Sequence, residues 1–204
     1  MSIIVAGIHT GTGKTVCSAI LCQATGYDYW KPVQAGDLDR SDSIFVRSMV
    51  SNAACTVHPE RHRLNTPMSP HEAARIDGLH IRPADFQLPE TKNRLVVETA
   101  GGVMSPLAEG FLIIDLIALL KLPVVLVSGN YLGSINHTLL TIEALRNRQI
   151  PVKGIIFNGP ATPSSERFIL QSSGLEHLLS VPEFNPLNSN AVGSFADTHP
   201  IKLS

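Results

Sequence analysis

Cysteine is scarce. The 204-residue chain has three, Cys17, Cys22 and Cys55, an odd number with no C-x-x-C spacing. That argues against a disulfide framework and for reduced thiols in a cytoplasmic protein. An excess of charge of one sign is also missing: 16 Lys plus Arg face 17 Asp plus Glu, for a formal net charge of −1. With no basic run, the chain has no electrostatic footprint for nucleic acid. Long uninterrupted apolar stretches are absent too. The longest, Phe111 to Val127, carries Asp115 and Lys121 and is broken by Pro123. It reads as a buried helix followed by a buried strand, not a membrane span. No secretory leader is expected, because strand-like sequence begins at Ile3. There is no G-x-S-x-G and no H-E-x-x-H. His58 and His62 are spaced i, i+4, but Pro59 disfavours a regular helix through them, so a zinc site is not expected there.

What is present begins at once. The apolar run Ile3-Ile4-Val5-Ala6 leads into Gly7-Ile8-His9-Thr10-Gly11-Thr12-Gly13-Lys14-Thr15. A strand that breaks into a glycine-rich loop and restarts as a helix at Gly-Lys-Thr is the pattern of a phosphate-binding loop. Backbone N–H groups must converge on phosphate oxygens, and glycine removes the side chains that would obstruct them. The helix that follows aims its N-terminal dipole at the same anion. Lys14 adds a point charge, and the Thr15 hydroxyl is placed to ligate Mg²⁺. The strict G-x-x-x-x-G-K-[ST] spacing would need glycine at position 8, where this chain has Ile8; several P-loop subfamilies carry the first glycine one residue earlier, as Gly7 does here.

Apolar runs then alternate with helical patterns. The expected fold is α/β and P-loop NTPase-like, a mostly parallel central sheet flanked by helices, with residues 1–204 forming a single domain. Strands are predicted over 3–7, 27–31, 94–98, 124–128 and 152–158. Helices are predicted over 14–24, 42–50, 70–76, 108–120, 135–148 and 164–172. The tail after Pro182, rich in Asn, Pro, Ser and Gly, is assigned no element.

In an open parallel sheet, ligands bind beyond the carboxyl ends of the strands. Four polar or glycine-rich termini should therefore share one crevice: the P-loop, Lys31 to Gly36, Glu98 to Gly102, and Asn158-Gly159-Pro160. Glu98 closes an apolar strand, where a P-loop protein places a Mg²⁺-holding carboxylate. Asp42 opens a helix and is either a metal ligand or an ordinary first-turn acid. Thr15, Asp42 and Glu98 would form a hard, all-oxygen set suited to Mg²⁺. Lys31, before the stiffening Pro32, could stabilise charge on a transferred phosphoryl group. The Asn158 carboxamide could pair with the N6/N7 edge of adenine. Guanine readers usually continue Asn-Lys-x-Asp, and this chain continues Gly159-Pro160.

Taken together, these pieces resemble the dethiobiotin synthetase family. The resemblance is carried by Gly7…Thr10…Gly13-Lys14-Thr15, Lys31-Pro32-Val33-Gln34, Ser41-Asp42, Ser69-Pro70-His71, Glu98-Thr99-Ala100-Gly101-Gly102, the run Leu132 to Thr141, and Asn158. It implies ATP and Mg²⁺ as cofactors, and 7,8-diaminononanoate and CO₂ as substrates. The family forms a carbamate, phosphorylates it, and closes a cyclic urea with release of ADP and phosphate. It implies catalytic roles for Thr10, Lys14 and Lys31. Nucleotide contacts are implied for Gly11, Thr12, Gly13, Lys14, Thr15, Val16, Asp42, Glu98, Thr99, Ala100, Gly101, Asn158, Gly159, Pro182, Glu183 and Phe184. Mg²⁺ would sit on Thr15, Asp42 and Glu98. The substrate would meet Lys31 and, across a homodimer interface, Gly133, Ser134, Ile135 and Asn136 at a helix start. The family usually has Glu in place of Gly11 and often Ser or Thr in place of Ala35, and the tail offers no acidic match for a ribose contact after Phe184. The alternative is a P-loop regulatory or partitioning-type ATPase. Those proteins place a second lysine five residues before the loop lysine, where this chain has His9.

Overall fold

Side chains alternate along each central strand, and that alternation sorts the buried residues onto two faces. The computed structural model describes residues 1–201 and 203. Six strands form one sheet: β1 (Ile3–Gly7), β2 (Asp28–Trp30), β5 (Leu95–Gly102), β8 (Val124–Gly129), β9 (Val152–Asn158) and β10 (His177–Val181). Their order is β10-β9-β8-β1-β5-β2, and every neighbouring pair is parallel. Ile4, Ala6, Val97, Leu126, Ile155 and Phe157 face one layer of the core, while Ile3, Val5, Val96, Val125, Val127 and Ile156 face the other. Strands covered on both sides read as continuous apolar runs for this reason.

Helices cover both faces. On the second face lie α1 (Lys14–Thr25) and α7 (Ser189–Thr198), which pack together beside α2 (Asp42–Met49). The first face carries α4 (Ile113–Leu120), α5 (Ser134–Asn147) and α6 (Pro163–Ser173), with α3 (Pro70–Ile76) at the end of the layer. Two small sheets lie outside the main one: parallel β3 (Val33–Ala35) with β4 (His62–Leu64), and antiparallel β6 (Pro106–Ala108) with β7 (Phe111–Leu112). Among the described residues, no helix is long and apolar enough to cross a membrane.

Most predicted elements sit within two residues of their expected limits. Three differences matter. The helix expected from Ala108 starts only at Ile113, because 106–112 folds as a hairpin turning through Gly110 at φ 66°. Asp115 then sets the start by accepting the Leu112 backbone N–H at 2.8 Å. The strand predicted over 94–98 continues to Gly102, so Thr99 to Gly102 belong to β5 itself. Two elements were not expected: β10 adds an edge strand just before the tail, and within the tail Asn188 caps α7 by accepting from Ala191 N at 2.9 Å.

Candidate functional site

The loop between β1 and α1 is shaped by contacts only glycine permits. A Cβ on Gly7 would lie 2.5 Å from Thr12 Oγ1 and 3.0 Å from Lys14 Nζ. At Gly13, with φ 82°, a Cβ would fall 2.2 Å from Asn158 Nδ2. Both positions bring backbone and side chains closer than any larger residue allows. The Lys14 ammonium donates to the His9 carbonyl at 3.0 Å, curling the lysine back over the loop.

At the centre lies Glu98, fully buried on β5. Thr15, from the first turn of α1, donates to its Oε1 at 2.9 Å. Tyr29, on β2, donates to its Oε2 at 3.0 Å. The Lys31 ammonium lies 3.3 Å from Oε1 and also pairs with Asp42. Asp42 is free to do this because Ser41, not Asp42, caps α2. Ser41 Oγ accepts from Ile44 N and donates to Glu60 Oε1 at 3.0 Å. Gln34 holds the same turn by accepting from Asp42 N at 3.3 Å.

The two lysines are tuned in opposite directions. Burial lowers the Lys14 pKa from 10.5 to about 8, the Lys31 charge adds to the lowering, and Glu98 and Asp42 offset only part of it. Burial also pulls on Lys31, but Glu98 and Asp42 outweigh it and hold Lys31 above its ordinary value. Lys31 is thus a fixed cation, while Lys14 titrates well below an ordinary lysine, at about 8. Tyr29 is held well above its ordinary value by burial and by Glu98.

Two cavities meet here. The first, of about 440 Å³, is lined by Gly11, Gly13, Lys14, Thr15, Val16 and Glu98, and closes on Arg40, Phe45 and Leu187. The second, of about 520 Å³, is lined by Val33 to Ala35, Pro67 to Pro70, Ala100 and Ser105. Thr10, Lys31, Asp42 and Gly101 border both. One cavity thus opens on the P-loop, the other on β3, the turn from β4 into α3 and the end of β5, and a charged partition separates them.

The remaining sequence-predicted residues fall elsewhere. Thr12 turns inward, donating to the His9 carbonyl at 3.3 Å, and Thr99 donates within the sheet to Val5 O at 3.4 Å. Asn158 packs against Gly13, and Gly159 N bonds Val181 O at 2.9 Å, which sets it beside Pro182. Phe184 packs edge-on against Phe195 of α7, with Glu183 beside it in the chain. Leu187, rather than Pro182 to Phe184, lines the first cavity. Gly133 to Asn136 line neither cavity; this helix start lies beside His9 through the Tyr131 and His137 rings. His58 bonds Asp28 at 2.9 Å and His62 lies 3.3 Å from Asp85, so the two histidines serve different carboxylates. Sequence reasoning missed Tyr29, Arg40, Phe45 and Leu187, none of which belongs to a motif.

Comparison with known proteins follows the same lines. A family model described as "AAA domain" matches residues 1–191. The ATP-dependent dethiobiotin synthetase BioD of Cytophaga hutchinsonii is 46% identical over 94% of this chain and 93% of its own length. That of Afipia carboxidovorans is 47% identical over 93% of this chain and 91% of its own. Among solved structures, a ParA family ATPase from Chlorobium tepidum matches with a TM-score of 0.56 at 12% identity, covering 96% of this chain and 98% of that one. A putative plasmid partition protein from Borrelia burgdorferi, bound to AMPPNP, gives 0.58 at 10% identity, covering 92% and 89%. At such identities the likeness shows the fold alone.

The Lys14 shift makes a prediction about stability. Below about pH 8 the folded and unfolded chains both carry the Lys14 proton, and the burial cost is present in full. As pH rises through 8 towards 10.5, the folded chain releases the proton first and the cost is relieved. Lys14→Met should therefore stabilise the nucleotide-free protein at pH 7 by up to roughly 3 kcal/mol. The gain should shrink between pH 8 and pH 10. Urea midpoints at pH 7 and pH 9.5 check this; a gain independent of pH would show that Lys14 carries no buried-charge cost.

Proposed function

The chain belongs to the dethiobiotin synthetase family, and from that premise we propose that it condenses 7,8-diaminononanoate with CO₂ in an ATP- and Mg²⁺-dependent ring closure. The observation that carries the reading is the pair of cavities divided by Thr10, Lys31, Asp42 and Gly101. A nucleotide triphosphate on the P-loop side and a carbamate on the other would meet at that partition. The relatives at 46% and 47% identity, named for the same reaction, support it.

The chemistry then divides among the residues. An amine of the diamine adds to CO₂ and forms a carbamate, which Lys31 holds by its fixed charge. A carbamate oxygen attacks the γ-phosphorus; that oxygen–phosphorus bond forms as the bond to ADP breaks. Lys14 and the P-loop backbone hold the phosphate oxygens. The second amine attacks the carbonyl carbon, phosphate leaves, and the urea ring closes. The Thr15 hydroxyl and the Asp42 and Glu98 carboxylates fit Mg²⁺: they are hard oxygen donors, converged on one spot where Lys31 already supplies positive charge to both carboxylates. When bound, the ion would neutralise charge on the phosphate oxygens. Asn158 would read the adenine edge beside Gly159, with Pro182, Glu183 and Phe184 flanking the base. Thr12, Thr99 and Ala100 would contribute backbone only.

The start of α5 enters through a second copy of the chain. At this start the Ile135 and Asn136 N–H groups precede the first helical hydrogen bond and suit a carboxylate, while Ser134 N already donates to the Tyr131 carbonyl at 3.0 Å; Gly133 to Asn136 line neither of the two cavities described above. Leu132 just before this start is exposed, and Leu140 and Met104, exposed too, line one recess further along α5. Exposed apolar groups brought together in this way suit a contact surface. A two-fold homodimer would cover them and place the helix start against the partner's second cavity. We take residues 1–204 as one domain working in the cytoplasm, consistent with its unpaired cysteines. The partitioning-type alternative lacks its second lysine, since His9 stands there.

Addition of 7,8-diaminononanoate and bicarbonate to the protein with Mg·ATP should release ADP, and Lys14→Ala should lower that rate by at least ~10²-fold. ADP release indifferent to the diamine would overturn the reading.

For the shared site, inactive Lys14→Ala protomers are mixed with inactive protomers carrying a bulky residue at Gly133. Mixed dimers should regain one working site. No recovery after proven subunit exchange would assign each site to a single chain.

A further inference from the structure

Arg40 ends the 3₁₀ turn Leu38–Arg40, immediately before the Ser41 cap of α2. It lines the P-loop cavity with Lys14, Thr15, Lys31, Asp42 and Glu98. It also borders a polar recess with Asp37, Asp39, Arg63 and Asn65. Arg63 there is already held, donating to Glu60 at 2.9 Å and to the Leu38 carbonyl at 3.1 Å. The Arg40 guanidinium is exposed and makes no hydrogen bond or ion pair among the described residues.

The charges of the cavity show what such a group is for. Two carboxylates, Asp42 and Glu98, stand in its wall, and Lys31 is committed to both. Lys14 is the remaining buried cation. A triphosphate and a carbamate would add more negative charge than Lys14 and one divalent ion can balance. Arg40 is the further cation in that wall, on a short turn beside Asp42.

We propose that Arg40 is a ligand of the transferring phosphoryl group, swinging from the turn onto its oxygens as the group leaves ADP for the carbamate. The proposal rests on the reaction given above. A planar guanidinium holds two phosphate oxygens at once, and an arginine supplied from the same chain is a known way to stabilise the charge spread over the transferring group. Arg40 then acts in the transition state more than in the bound ground state.

Arg40→Ala, Arg40→Gln and Arg40→Lys are compared with the wild-type protein, with thermal unfolding as the check on folding. In Arg40→Ala and Arg40→Gln, kcat for diamine-dependent ADP release should fall ~10²- to 10³-fold, with a far smaller change in the KM for ATP. Arg40→Lys should restore little, because a point charge does not replace the two-point fork. A binding measurement stands apart from turnover. Calorimetry compares Mg·ADP with Mg·ADP plus aluminium fluoride, which mimics the transferring group. Wild type should bind the fluoride complex more tightly, and Arg40→Ala should lose that gain while keeping its ADP affinity. A kcat within about threefold of wild type with the gain intact would overturn the proposal, and so would a loss confined to KM and ADP affinity. If wild type shows no diamine-dependent turnover, the reaction above fails, and the fluoride arm still decides the role of Arg40.

Discussion

A carboxylate wholly removed from water must find its counter-charge inside the protein, and Glu98 is such a group. Its three partners come from three different elements: Thr15 from α1, Tyr29 from β2, and Lys31 from the turn after β2. None could reach it unless β2, β5 and β1 were in register, with Tyr29 beside Val96 and Val5 beside Glu98. The sheet register and the placement of the P-loop helix are thus tied to one buried charge. Deleting one partner of a buried pair typically costs 3–5 kcal/mol, because the other is left uncompensated.

The same arrangement separates the tasks of the two lysines. Lys31, between two carboxylates, keeps its charge at any working pH and can serve as a fixed electrostatic wall between the cavities. Lys14 has no carboxylate bonded to it; its nearest acceptor is the His9 carbonyl, a weaker partner than a phosphate oxygen. An incoming triphosphate would take Lys14 from that carbonyl and hold it in its charged form.

Much of this was legible in the sequence, and what was not has a physical reason. The P-loop, the five central strands and Glu98 follow from periodicity and strand-end chemistry, which are local. Asp42 was ambiguous because an acid at a helix start is common; only the structure shows Ser41 taking the cap and leaving Asp42 for Lys31. The part of the hairpin over 108–112 reads as helix in the sequence, since Ala108, Phe111 and Leu112 suit either state and the turn at Gly110 decides it. β10 and α7 were missed because tertiary packing on β9 and α1 orders a segment of weak local preference. Tyr29, Arg40, Phe45 and Leu187 reach the site only through long-range folding, and no spacing could announce them. Gly133 to Asn136 carry a recognisable motif, yet they lie beside His9 and border neither of the two cavities at the P-loop.

Lys31 balances the Glu98 charge, and the pair anchors the site. A double-mutant cycle measures this: Lys31→Met, Glu98→Gln and the double variant, unfolded in urea without nucleotide. Each single change should be strongly destabilising, the double change much less so than their sum, and the coupling energy at least ~2 kcal/mol. Additivity within about 0.5 kcal/mol would contradict it, for the two charges would then be solvated independently of one another.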